Sequence, residues 1–173
     1  MLKMIERLGP IDANRATDTL TLTYERRVMG RLKATSDAGC PLGLFLDRGP
    51  VLHDGDGLRA ESGEVVRVRA AVEPVVTARI AAGLPLVRLA YHLGNRHVQL
   101  ALGEDEEGGF VRFPPDHVLE ELATLLGATL VHHQAPFDPE SGAYSQAGQA
   151  HGHDHSHAHD QDHSHAHGHD HAH

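Results

Sequence analysis

Histidine dominates the last part of the chain, where residues 151–173 hold eleven histidines and four aspartates among only Ala, Gly, Ser and Gln. Neutral imidazole is the commonest protein ligand for Zn, Cu, Ni and Co ions, and an aspartate adds an oxygen ligand. No large apolar side chain is present, so the segment cannot bury enough surface to offset the entropy of ordering. The composition predicts a disordered tail that binds divalent metal ions.

The order of residues within the tail supports this interpretation, because the hexapeptide DHSHAH occurs twice, at residues 154–159 and 162–167. An engineered purification tag is normally an uninterrupted histidine run, whereas a duplicated unit is typical of a native sequence. At about two to four protein ligands per ion, the tail could hold about three to five ions. The predicted tail ligands are His151, His153, His155, His157, His159, His163, His165, His167, His169, His171 and His173.

The rest of the composition excludes several classes of function. The formal net charge is −9, and the four tail aspartates account for −4 of it, so we expect neither nucleic acid nor a membrane as a partner. No stretch is apolar enough to span a bilayer or act as a secretory signal, and the lone Cys40 fits a reducing compartment, so we expect a cytoplasmic protein. No phosphate-binding glycine loop or nucleophile elbow is present, which predicts that the chain is not an enzyme.

Periodicity in the first part of the chain predicts β structure. Alternating apolar and polar residues predict strands at residues 19–24 and 65–70, and a short apolar run predicts a third at 41–46. The sequence DGDG at residues 54–57 predicts a turn between them. Residues 1–73 are therefore predicted to form a small β domain.

The following part, residues 74–147, predicts a mixture of helices and strands, so the fold class as a whole is α+β. Apolar residues at helical spacing predict one helix at 84–95 and a second that follows Asp116 as N-cap and ends at Gly127. With strands predicted at 75–80, 98–102, 110–113 and 129–133, the order is β-α-β-β-α-β, that of a ferredoxin-like domain. A linker predicted from residue 134 leads into the tail, residues 148–173.

Five of the histidines outside the tail are candidates for metal binding. His97 follows the end of the first predicted helix, and His92 lies one turn earlier on its polar face. His117 begins the second predicted helix, where the helix dipole favours neutral imidazole, and the adjacent His132 and His133 point to opposite faces of a strand. Spacing alone favours ordinary surface or hydrogen-bonded roles, and a single-histidine site becomes credible when a symmetric dimer pairs two copies of it.

Three segments resemble the signatures of one family, the E-type urease accessory metallochaperones that deliver nickel to urease. They are residues 91–97 (YHLGNRH), residues 136–144 (PFDPESGAY) just before the histidine-rich end, and a stretch that runs from residues 55–58 through residues 65–71. The resemblance covers essentially the whole chain. It implies an N-terminal β domain that contacts protein partners, a ferredoxin-like metal-binding domain and a homodimer. It also implies two partners, the urease apoprotein and the accessory GTPase that powers nickel insertion.

The resemblance also implies roles for individual residues. His97 matches the histidine that pairs across the dimer axis to hold a metal ion, and His117 matches a further metal-binding position. His92 falls within the signature as a weaker candidate. Where the family often has a second histidine before the one at His117, this chain has Pro115, so a peripheral site there departs from the family pattern.

The sequence as a whole predicts a nickel metallochaperone and reservoir. The tail and the His97 pair would hold Ni(II) as cargo, and Zn(II) or Cu(II) are also expected to bind because imidazole does not select among them. Three alternatives stay open: a passive nickel or zinc storage protein, a nickel-loading factor for another enzyme such as hydrogenase, and a metalloenzyme that uses His97, His117 and a carboxylate such as Asp116.

Overall fold

Six strands form the first half of the chain in the computed structural model, which describes residues 1–142. The strands are β1 (Leu2–Pro10), β2 (Asp18–Leu22), β3 (Arg31–Thr35), β4 (Pro41–Phe45), β5 (Asp56–Ala60) and β6 (Val65–Ala70). They form a mixed sheet in the order β2-β6-β5-β1-β4-β3, in which the β2–β6 and β1–β4 pairs are parallel. A 3-10 turn (Ala13–Arg15) follows β1, and a one-turn helix, α1 (Tyr24–Arg27), follows β2.

Apolar side chains of this sheet pack into one cluster, with Met4 of β1, Leu58 of β5 and Val68 of β6 among its fully buried members. Burial alternates along β6, and the strand predicted there at residues 65–70 is confirmed. The strand predicted at residues 19–24 ends early, at Leu22, because the chain turns into α1.

Three strands of this half were not predicted, namely β1, β3 and β5. The pairing of β1 with β5 shifts register between residues 4 and 6 and again between residues 7 and 9. Such irregularities interrupt the alternation by which a strand is recognised in a sequence. The turn predicted at residues 54–57 is wrong for its last two residues, because β5 already begins at Asp56.

The second half contains two helices and four strands. They are β7 (Val72–Arg79), α2 (Leu84–Gly94), β8 (Ala101–Asp105), β9 (Gly108–Phe113), α3 (His117–Leu125) and β10 (Thr129–Pro136). The strands form a second sheet in the order β10-β7-β9-β8, with every neighbouring pair antiparallel. Together with the first sheet, this arrangement is an α+β architecture with few helices, as predicted.

Both helices cover the same face of the second sheet. Leu93 of α2 and Ala123 of α3 are fully buried in a cluster that also holds Val76 of β7 and Phe113 of β9. Successive residues of a strand point to opposite faces, so Val75 belongs to a separate cluster on the other side of the sheet. The starting positions of both helices are confirmed.

Two predictions in this half are corrected by the structure. The strand expected at residues 98–102 begins only at Ala101, because the chain first completes a tight turn after α2. The linker expected from residue 134 is wrong at its start, since Gln134, Ala135 and Pro136 continue the pairing of β10 with β7. The next residue, Phe137, is 2% exposed. Within residues 1–142, no helix is both long and apolar enough to cross a membrane.

Candidate metal centre

His97 lies on the exposed surface just beyond the C-terminal end of α2. The helix carries Pro85 in its first turn, where a missing N–H removes no helical hydrogen bond. At its other end the backbone N–H of Asn95 donates to the carbonyl of Tyr91 at 2.9 Å, and the N–H of His97 donates to the carbonyl of Gly94 at 3.0 Å. These bonds close a tight turn that fixes the position of the histidine.

The backbone of His97 adopts φ 57°, and no other non-glycine residue among residues 1–142 has a positive φ. In this left-handed region the Cβ atom approaches the following carbonyl oxygen, which costs about 1–2 kcal/mol for most residues. Glycine is the usual residue at such a helix end. A histidine is therefore present where the backbone favours glycine, and outliers of this kind cluster at functional sites.

The second candidate, His92, lies on the exposed part of α2, and its ring meets that of Tyr91 edge-on with 5.2 Å between the centroids. Next to it, α2 exposes an apolar stripe. Leu84, Val87 and Tyr91 are 58%, 62% and 65% exposed, and their spacing places them along one side of the helix. The helix thus presents His92 beside an apolar surface that nothing in residues 1–142 covers.

The third candidate, His117, is the first residue of α3 and is exposed. Asp116 before it caps the helix, because its Oδ1 atom accepts hydrogen bonds from the backbone N–H groups of Val118 at 2.9 Å and Leu119 at 3.1 Å. This confirms the predicted N-cap. It also occupies one oxygen of a carboxylate that the metalloenzyme alternative would use for a metal.

Among residues 1–142, no group of three or more His, Cys, Asp or Glu side chains is placed to hold a metal ion. The metalloenzyme alternative uses His97, His117 and a carboxylate such as Asp116, and the described residues contain no such group. The predicted tail ligands at residues 151–173 lie outside the described residues.

The two adjacent histidines of β10 point to opposite faces, as predicted, and each has a partner. His132 Nε2 lies 2.9 Å from Glu120 Oε2 of α3, on the helical side of the sheet. His133 Nε2 lies 2.8 Å from the hydroxyl oxygen of Thr77 in β7, and Arg112 Nε donates to the same hydroxyl at 3.0 Å. His133 is therefore committed to a structural network.

The structure also reveals a cluster that contains His53, a histidine that the sequence analysis did not consider. We call Arg27, His53, Asp138 and Ser141 the clasp. His53 Nδ1 lies 3.0 Å from Asp138 Oδ1, and His53 Nε2 lies 2.8 Å from Ser141 Oγ. An ionised carboxylate can only accept, so in its neutral form His53 donates from Nδ1 to Asp138 and accepts at Nε2 from Ser141. The clasp fixes residues 138–141, just before the tail, to the first half of the chain.

Arg27 forms the buried end of the clasp, and its side chain has no exposed surface. It donates from Nη1 to Asp138 Oδ1 at 2.6 Å and to the carbonyl of Leu52 at 2.8 Å, and from Nη2 to the carbonyl of Phe137. A buried cation is tolerated only when it is paired and hydrogen-bonded in this way. Burial also raises the pKa of nearby Tyr24, an effect that the charge of Arg27 opposes.

The sequence contained one signal of the clasp. Residues 136–144 carry a recognisable signature, which argues for a fixed structure, whereas their Pro, Gly and Ser content predicted a linker. The signature predicted the structure of this segment better than its composition did, since Phe137 is buried and Asp138 is paired with Arg27. No spacing rule connects residues 27 and 53 to this segment, so their partners could not be identified before the fold.

Comparison with known proteins gives matches along almost the whole chain. The model of the UreE urease accessory protein, N-terminal domain, matches residues 4–71, and the model of the UreE urease accessory protein, C-terminal domain, matches residues 73–173. The chain is 62% identical to the urease accessory protein UreE of Marinobacter nauticus over 159 residues, which cover 88% of each chain. It is 62% identical to that of Pseudoalteromonas translucida over 154 residues, 88% of this chain and 91% of the relative. The protein of the same name from Alkalilimnicola ehrlichii is 49% identical over 147 residues, 83% of this chain and 85% of the relative.

Proposed function

We propose that this chain, which belongs to the UreE family of urease accessory proteins, is a metallochaperone that collects Ni(II) and delivers it for assembly of the urease active site. The family consists of accessory proteins rather than enzymes, which confirms the expectation that the chain catalyses no reaction. Nickel is the cargo in this proposal, bound by ligands of the chain and then released to a partner.

The observation that carries the proposal is the placement of His97. Its side chain is exposed, its backbone is held by the turn that ends α2, and it adopts a conformation that favours glycine. An exposed imidazole that is fixed at its backbone but free at its ring suits a site that takes up and releases an ion. Neutral imidazole is also a good ligand for Ni(II).

A homodimer completes this site in the proposal. One histidine is too few ligands for a specific site, and a two-fold axis beside His97 brings the same residue from a second copy. The exposed stripe of Leu84, Val87 and Tyr91 on α2 supports an interface on this helix, because burying it removes apolar surface from water. The proposed metal site is therefore shared between two chains.

The domain organisation of the proposal follows the sequence prediction, with residues 1–73 as a partner-binding β domain, residues 74–147 as a ferredoxin-like metal-binding domain and residues 148–173 as a disordered metal-binding tail. The strand order β10-β7-β9-β8, with all pairs antiparallel and both helices on one face, supports the ferredoxin-like assignment.

Further ligands in the proposal are the tail histidines, which collect ions, and His92 and His117, which are both exposed. Pro115 stands where a second histidine would strengthen a site at His117. Zn(II) and Cu(II) are expected to compete for the same imidazoles, since ligand type does not exclude them. The proposed partners are the urease apoprotein and the accessory GTPase, and the proposed compartment is the cytoplasm, where the free thiol of Cys40 stays reduced.

Calorimetric titration with Ni(II) tests the proposal, with the dimer measured by light scattering. Four proteins are compared. They are the full chain, a short chain that ends at residue 150, the short chain with His97→Ala, and the short chain with His133→Gln as a matched control. The short chain should retain about one tightly bound ion per two chains, because two His97 residues share it. His97→Ala should abolish that binding, whereas His133→Gln should leave it unchanged.

Loss of all nickel binding with the tail would instead favour passive storage, which is the second candidate function. The composition of residues 151–173 supports that alternative, since eleven histidines can hold ions without any delivery site. Urease activation separates the two, because a storage protein improves activation only through the supply of nickel. No observation favours another nickel enzyme, such as a hydrogenase, as the recipient.

A further inference from the structure

Glu120 and His132 form a pair of potential metal ligands away from the turn that holds His97. Glu120 lies in the first turn of α3, and His132 lies in β10, the strand that follows that helix. The Oε2 and Nε2 atoms are 2.9 Å apart. The pair is accessible to solvent, with 59% of the His132 side chain and 23% of the Glu120 side chain exposed.

The carboxylate of Glu120 is oriented by a second contact. Its Oε1 atom accepts a hydrogen bond from the backbone N–H of Asp116 at 3.2 Å, which leaves Oε2 directed at the histidine. Outer contacts of this kind fix a metal ligand before the ion arrives. His132 is held by its strand, where it pairs with Val76 of β7. Little rearrangement is therefore needed to place both ligand atoms around one ion.

The distance between the two atoms fits a shared ion. With metal–ligand distances of about 2.0–2.2 Å, two neighbouring ligand atoms lie about 2.8–3.1 Å apart around an octahedral ion and about 3.3–3.6 Å apart around a tetrahedral ion. The observed 2.9 Å falls in the octahedral range. A bound ion would take the place of the hydrogen between Nε2 and Oε2, and a neutral imidazole would then carry its one hydrogen on Nδ1.

The sequence around the pair is acidic. No lysine or arginine occurs after Arg112, whereas Asp116 and Glu121 lie close to Glu120 in the chain. An exposed histidine–carboxylate pair contributes little to stability as a mere ion pair. The Oε1 atom of Glu120 helps to cap α3 by accepting from the backbone N–H of Asp116, so only Oε2 is available for a metal ion.

We propose that Glu120 and His132 form a second divalent-cation site on the surface of each chain, separate from the His97 site and completed by water. Two protein ligands make this site weak and quickly exchanging, which suits a position that an ion occupies briefly. The site does not depend on delivery to urease. It also does not need the histidine that Pro115 replaces.

Nuclear magnetic resonance of the full chain tests this site, because Ni(II) is paramagnetic and broadens the signals of nearby amides. All proteins carry His117→Asn, which removes the nearest other candidate ligand. The amides of residues 130–134 should broaden as Ni(II) is added. Glu120→Gln or His132→Asn should weaken this local binding about tenfold or more, since even loss of an outer contact costs that much. The control His133→Gln should leave the broadening in place.

The outcomes separate this site from the other proposals. If broadening at residues 130–134 persists in Glu120→Gln and His132→Asn, it comes from ions held elsewhere, and the proposal is overturned. The proposal is also overturned if these amides do not broaden in the parent. Two different variants guard against a folding defect, and both should keep the unfolding midpoint of the parent. Broadening near His97 is read from separate amides, so failure of the His97 site and failure of this site are distinguishable.

Discussion

Removal of the negative charge from the clasp by Asp138→Asn should destabilise the protein by about 2–3 kcal/mol. The carboxylate contacts Arg27 Nη1 at 2.6 Å, His53 Nδ1 at 3.0 Å and the backbone N–H of Asp54 at 3.1 Å. Loss of one partner from a buried ion pair costs about 3–5 kcal/mol. We reduce that figure because 30% of the Asp138 side chain is exposed and because Arg27 keeps the carbonyls of Leu52 and Phe137 as acceptors.

Equilibrium denaturation in urea measures this change, and Glu6→Gln provides the matched control. Glu6 accepts from Arg59 at 2.9 Å, but the two side chains are 50% and 45% exposed. The same change from carboxylate to amide should therefore cost less than about 1 kcal/mol there. For a chain of this size, the Asp138→Asn variant should melt about 4–12 °C lower than the parent.

A second measurement locates the effect. The backbone N–H of Glu140 donates to the carbonyl of Leu100 at 2.8 Å, so hydrogen exchange at Glu140 reports whether the clasp segment stays in place. Exchange there should accelerate in Asp138→Asn and not in Glu6→Gln. Equal and small losses of stability in the two variants would refute the reasoning, because they would show that Arg27 does not need its carboxylate partner.

Three further predictions concern other sites. In the positive-φ position of His97, the glycine variant should be more stable than the alanine variant by about 1 kcal/mol, the reverse of their order in a helix, as measured by urea denaturation. Asp37 is partly desolvated, which raises its pKa, but bonds from Thr19 and Thr21 outweigh this effect and hold the pKa below its usual value. Thr21→Val should raise that pKa in a titration followed by NMR. A lowered pKa stabilises above about pH 4 and loses its effect as the pH falls through the folded-state value, so the stability difference between parent and variant should shrink in acid. Nickel stoichiometry of the full chain should fall between about pH 7.5 and about pH 5, since imidazole with a reference pKa of about 6.5 must be neutral to bind, and unchanged stoichiometry would contradict imidazole ligation.

In the proposed function, the tail and the body are different kinds of metal binder. The metal-binding capacity of a histidine-rich tract depends on how many imidazoles it contains, and depends little on where each imidazole lies. His97 is held at one backbone position by the turn after α2. A transfer from many exchangeable ligands to a fixed pair is consistent with the proposed collection and delivery of nickel.

Several features could be predicted because they depend on neighbouring residues. Metal binding by residues 151–173 stays a prediction, and it rests on residue types alone. The helix at Leu84–Gly94 follows from apolar residues at helical spacing, and α3 follows from Asp116, whose side chain caps the helix as its position suggests. The strand at Val65–Ala70 follows from simple alternation. Each of these signals acts over a few neighbouring residues, so it can be recognised in the sequence without knowledge of the fold.

Other features were decided only by the tertiary structure. Gly57 belonged to a predicted turn, yet it lies in β5, and a Cβ atom there would come within 2.8 Å of Ile11 Cδ1. The glycine is required by close packing between distant segments rather than by turn geometry. In the same way, the clasp joins Arg27 to Asp138 across 111 positions of the chain and His53 to Asp138 across 85. Local patterns carry no information about such pairs, because only the packing of the sheets determines which buried cation meets which carboxylate.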